Sequence, residues 1–155
     1  MEKRSESGRL HDVAPSGFTT RPPPPAIGAA GFKELAKARL ADAEILFANA
    51  RYDGAVYLCG YSVEFTLKAR ICSLLGWSTY FTDREYATFR THDLTVLLNL
   101  SGAGIMFDMG APFARDWAFV LAFWSNQLRY EPHGTMTQQD ATKMIQAVGN
   151  LMSAL

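Results

Sequence analysis

At 155 residues the chain suits one domain, because compact domains commonly run to about 100–150 residues. Hydrophobic residues make up 48% of it and charged residues 19%, an ordinary balance for a globular protein. The 15 Lys and Arg cancel the 15 Asp and Glu, which excludes a global field that draws in nucleic acid or a membrane surface. Any nucleic-acid role has to rest on a local basic patch.

The N-terminus, MEKRSESGRL, is charged and has no apolar stretch behind it, so it does not read as a secretory leader. Residues 1–31 carry Ser, Gly and Thr, the run Pro22–Pro25 and no periodic apolar pattern. They are expected to form a flexible, Pro-rich arm ending in a short polyproline II stretch, a spacer more readily than an SH3-type ligand. The folded domain is expected over residues 32–155. Its longest apolar run in the C-terminal half, Ala118 to Trp124, is far short of the roughly 20 residues a membrane-spanning helix needs.

A first helix is predicted from about Gly31 to Ala50, where Phe32, Ala36, Leu40, Ala43, Phe47 and Ala50 recur at spacings of three and four. Asp53 is a candidate N-cap for a second helix from about Gly54 to Leu75, closed by Gly76. This helix is apolar nearly all round and should be the central one, so its polar residues are informative. Tyr57, Tyr61, Glu64 and Lys68 fall in one stripe, with Glu64 and Lys68 in the favoured order for a helical ion pair. Cys59 and Cys72 share the helix about 20 Å apart, too far for a disulfide with each other, and read as buried hydrophobes of a reducing, cytoplasmic compartment. No Cys/His spacing suits zinc, and neither a metal nor a cofactor is expected.

Residues 77–91 are aromatic-rich, with Trp77, Tyr80, Phe81, Tyr86 and Phe89 available either as interface anchors or as lids on a core. Thr82-Asp83-Arg84-Glu85 has a capping-box pattern, which predicts a short helix at about 83–89. Thr91 is a candidate cap for a third helix carrying His92, Leu94, Leu97, Leu98 and Leu100. The Gly-rich loop Ser101 to Ala111 lacks the Lys-Ser/Thr ending of a phosphate loop. A fourth helix should start at Pro112 and run to about Gln127, followed by a turn through Pro132 and Gly134. Thr137 and Asp140 form a second capping box, opening a last helix. With no strand alternation anywhere, the expected fold is an all-α, four- to five-helix up-and-down bundle.

The long first helix, the turn Tyr52-Asp53-Gly54-Ala55, the segment Val63-Glu64-Phe65-Thr66-Leu67-Lys68, the sequence Thr91-His92-Asp93-Leu94 and the later pair Arg129-Tyr130 occur in an order that resembles the HEPN domains. The resemblance covers about residues 32–155. It implies a helical bundle that pairs as a homodimer. Many members are metal-independent ribonucleases of toxin–antitoxin or phage-defence systems; others bind nucleotides or RNA, or act beside a nucleotidyltransferase-type or antitoxin partner. The family's ribonuclease motif is an Arg followed, after four to six residues, by a His. Here Arg129 and His133 are separated only by Tyr130, Glu131 and Pro132, and Pro132 disfavours helix at the residue before it.

Two functional readings follow. In the first, a non-catalytic module binds a nucleotide, an RNA or a partner protein through a groove formed by Tyr57, Tyr61, Glu64, Lys68, Arg129 and Tyr130. In the second, Arg129 stabilises charge on a phosphate and His133 moves a proton at a ribose hydroxyl, with Glu64 in support. The shortened spacing favours the first. Bland uses compete residue by residue: Arg129 anchored on Glu64, Glu64–Lys68 a surface ion pair, His133 a turn residue, His92 part of a helix N-terminus.

Overall fold

The computed structural model describes residues 26–81, 83–107 and 111–155. The run Pro22–Pro25, Thr82 of the first capping box and residues 108–110 of the Gly-rich loop lie outside them. Among the described residues five α-helices account for the fold: α1 (Ala29–Ala48), α2 (Tyr52–Leu75), α3 (Leu94–Leu100), α4 (Ala111–Phe123) and α5 (Gln138–Ala154). Three 3-10 segments, Arg84–Phe89, Ala103–Phe107 and Asn126–Tyr130, lie between them. Among the described residues there is no strand, and no helix is long and apolar enough to cross a membrane. The expected all-α bundle is what forms.

The link Asn49–Arg51 folds α1 and α2 into a hairpin, with α2 also packing on α5, α3 and the segment Asn126–Tyr130. α2 is therefore the central helix, and Val56, Cys59, Val63, Leu67 and Ile71 are wholly buried along it. With Leu97, Met144 and Leu151 they form the core, each large side chain contributing about 1.5–3 kcal/mol of burial. Burial pushes the Cys59 thiol up to about 12, and both cysteines are free and buried, so they behave as small hydrophobes. Gly76 ends α2 at φ 64, a left-handed conformation that a side chain would strain.

Four local expectations are corrected. Asp53 does not cap α2, because helical geometry begins at Tyr52 and Asp53 sits inside the first turn. The cap of α3 is Asp93, whose Oδ1 accepts from the N–H groups of Thr95 and Val96, while Thr91 Oγ1 accepts from Asp93 N–H. His92 is thereby left outside the helix. The short helix at 83–89 is a 3-10 segment without a side-chain cap. Finally, α4 stops at Phe123 rather than Gln127, and Ser125 Oγ restarts the chain as a 3-10 turn by accepting from Gln127 N–H.

The aromatic stretch is a lid. Trp77 meets Tyr80, Phe81, Tyr86 and Phe89 edge-on at 4.8–6.1 Å between ring centroids. Tyr80 ties the lid down, donating its N–H to Ile27 O and its hydroxyl to Phe89 O, both at 2.8 Å. These rings serve one another and the core, which leaves little of them as anchors.

Candidate functional site

The stripe predicted on α2 has two ends with different chemistry. At its C-terminal end Glu64 is 1% exposed, and Lys68 Nζ donates to its Oε1 at 2.7 Å. Helical spacing of four makes that contact, but burial changes its meaning: this is an interior ion pair and not a surface one. His92 Nδ1 lies 3.0 and 3.1 Å from the two Glu64 oxygens. Lys68 Nζ also sits 5.5 Å above the Tyr80 ring. The Glu64 carboxylate is thus engaged by Lys68 and His92, and Arg129 does not reach it.

At the N-terminal end the hydroxyls of Tyr57 and Tyr61 are 3.0 Å apart. Burial first, then the Tyr57 hydrogen bond, pushes the Tyr61 phenol up to about 12. Its ring packs edge-on against Trp124 at 5.7 Å and faces His92 at 6.4 Å. Tyr57 lines an open cleft of about 240 Å³ together with Asp53, Arg129, Glu131, His133 and Thr135. Arg129 is fully exposed, its guanidinium carbon 4.9 Å over the ring of Tyr130, itself 73% exposed. Tyr130, then Tyr57, raise the Arg129 pKa, and among the described residues no carboxylate forms an ion pair with it.

Asp53, misread as a cap, closes this cleft. Its carboxylate accepts from Gly134 N–H at 2.7 Å and Met136 N–H at 2.8 Å, fastening the loop after Pro132 to the start of α2. Burial is the largest influence and raises its pKa, but the backbone donors of Gly134 and Met136, the nearby His133 and Thr135 together bring it below the ordinary 3.8. The stabilisation from a carboxylate with a depressed folded-state pKa is complete above 3.8 and is lost as pH falls through the lower folded value. Asp53→Ala is expected to cost about 1 kcal/mol near neutral pH, discounted for its exposure. The same substitution should flatten the acid limb of the stability–pH curve below about pH 4. Parallel acid limbs for wild type and variant would show that the clasp contributes nothing.

Of the residues expected at the site, Tyr57, Arg129 and His133 share the cleft, Tyr130 borders it through Arg129, and Tyr61 joins it through the Tyr57 hydroxyl. Glu64 and Lys68 do not line it. Sequence reading missed His92, Asp53 and Trp124. The signal for His92 lay in the cap ranking: Asp is a stronger cap than Thr, and a helix started by Asp93 leaves His92 free to turn.

The result is a small all-α bundle with an arginine and a histidine lining one open cleft. A family model for the HEPN domain matches residues 30–155. The chain belongs to the HEPN family. Comparison with curated proteins returns no significant match, and comparison with solved structures returns none either.

Proposed function

We propose that this HEPN domain is a binding module for RNA or a nucleotide, with Arg129 as the phosphate contact. The observation that supports it most is the state of Arg129: fully exposed, without an ion-pair partner among the described residues, and steadied by the Tyr130 ring. An exposed guanidinium beside an aromatic ring, outside any ion pair among the described residues, is suited to phosphate oxygens. Tyr57 and Tyr130 add aromatic surface beside it, of the kind unstacked bases rest on. Two chains pairing as a homodimer would set two such clefts on one particle, and a nucleotidyltransferase-type or antitoxin protein remains the proposed heterologous partner, in a toxin–antitoxin or defence setting.

Anisotropy titration of a labelled single-stranded RNA of roughly 12 nucleotides tests this reading. Arg129→Ala is expected to weaken binding about 10- to 100-fold, and to lower the slope of log K against log salt by about 0.7, one single-strand phosphate contact. Unchanged affinity in the variant would remove Arg129 from the site.

A second reading has one specific observation in its favour, the presence of Arg129 and His133 in the same cleft. As a metal-independent ribonuclease, the protein would use His133 at the ribose 2′-hydroxyl and Arg129 on the phosphate. Incubating total RNA with the protein in EDTA separates the readings. Cleavage abolished by both Arg129→Ala and His133→Ala favours the enzyme; binding without cleavage leaves the module.

A further inference from the structure

A second hollow, of about 520 Å³, is unused by the reading above. Thr91, His92, Asp93, Thr95, Trp124 and Asn126 are among its lining residues. The 3-10 segment Asn126–Tyr130 separates it from the Arg129 cleft, giving Asn126 to one and Arg129 to the other. Asn126 and Arg129 are three positions apart, so the two hollows open at neighbouring points of one segment.

The lining decides what fits. Its fixed charge is the Asp93 carboxylate, already accepting from two backbone N–H groups, and among the described residues no Lys or Arg lines it. That disfavours a phosphate and suits a neutral, hydroxyl-bearing group. His92 gives the hollow a direction. Glu64, salt-bridged to Lys68, is an acceptor only, so the contact at 3.0 and 3.1 Å places the imidazole proton on Nδ1. In the neutral ring Nε2 then carries a lone pair, on a side chain that is 55% exposed and lines the hollow. The buried carboxylate thus orients the ring, and in its neutral form His92 presents Nε2 to the hollow as a hydrogen-bond acceptor.

We infer that this hollow takes a ribose of the strand whose phosphate Arg129 holds, with His92 Nε2 accepting from its 2′-hydroxyl, so that His92 distinguishes RNA from DNA. The inference rests on the RNA-binding reading and adds the sugar to it. The 2′-hydroxyl is the group by which a protein separates the two nucleic acids at a given position.

Three single strands of one base sequence test it: RNA, the 2′-fluoro analogue, which lacks the hydroxyl donor, and DNA carrying deoxyuridine. Wild-type protein should prefer RNA over both others by roughly 3- to 10-fold, the worth of one hydrogen bond. His92→Phe should erase that preference, bringing the RNA-to-DNA affinity ratio to about one. The preference is a ratio within one preparation, so partial unfolding of the variant does not mimic its loss. The His92 ring resonances of wild-type protein offer a reading without any variant, shifting with RNA and staying in place with the 2′-fluoro strand. Equal affinity for all three strands, with Arg129→Ala weakening each, would overturn the role of His92 and leave the phosphate site standing. A preference that survives His92→Phe would place the sugar contact elsewhere and overturn it too. Binding of no strand would overturn both readings together.

Discussion

Glu64→Leu is expected to cost about 3–5 kcal/mol of stability, because it strands the Lys68 ammonium in the interior. The Lys68 side chain is 11% exposed, and the Tyr80 ring at 5.5 Å does not replace a carboxylate. Lys68→Met should cost less. It leaves Glu64 buried, but His92 Nδ1 still stands 3.0 Å from that carboxylate and continues to satisfy it. The double variant Glu64→Leu/Lys68→Met is expected to return close to wild type, since replacing a whole buried pair with apolar side chains is often neutral. Urea unfolding of the four proteins measures the coupling. Additive costs in the double variant would show that the pair acts as two independent groups. The same series bears on function, because each variant lacking Glu64 also releases His92 from its orientation while leaving the Arg129 cleft in place.

The parts of this site that lie within one helix were legible in the sequence, and the parts joined by tertiary approach were not. Tyr57, Tyr61, Glu64 and Lys68 form one stripe because helical geometry repeats every three to four residues, and no partner is needed to see it. The Thr137–Asp140 capping box was legible for the same reason, and both of its reciprocal hydrogen bonds form at the start of α5. Which side of the stripe faces water depends instead on packing. Glu64 and Lys68 read as a surface pair, yet the fold buries both, with His92 against Glu64 and the Tyr80 ring over Lys68, and nothing at spacing four announces that. The His92–Glu64 contact spans 28 residues and the Asp53–Gly134 contact 81. Both follow from how loops are steered by caps: Asp93 ends the preceding loop so that His92 points back at α2, and Asp53 pins the loop that carries His133. The shortened Arg129–His133 spacing was readable, but its consequence was not. Pro132 and Gly134 keep the stretch out of helix, and a clasped turn still brings both side chains to one cleft.

The end of α4 rests on a single absent side chain. A Cβ at Gly60 would lie 2.0 Å from the Trp124 indole, a distance no packing accommodates without movement of the ring. Trp124 is 6% exposed, and its Nε1–H donates to Tyr57 O at 2.9 Å. Gly60→Ala therefore sets two effects against each other. Alanine gains about 1 kcal/mol of helix propensity inside α2. Against this stand about 1–3 kcal/mol of overpacking and about 1 kcal/mol for the displaced indole hydrogen bond, with some ring burial lost as well. A net destabilisation of about 2–3 kcal/mol is expected, read as a lowered midpoint in urea and as a change in tryptophan emission. Gly149→Ala supplies the internal reference. It lies inside α5 with nothing within 4 Å of the added Cβ, so there the propensity gain stands alone and stability should rise by up to about 1 kcal/mol. Gly60→Ala should weaken RNA binding too, because Trp124 supports Tyr61 and leads into the 3-10 segment that presents Arg129. If Gly60→Ala proved as stable as wild type, the indole could not be seated against the backbone of α2. The geometry that ties the end of α4 to the site would then have to be abandoned.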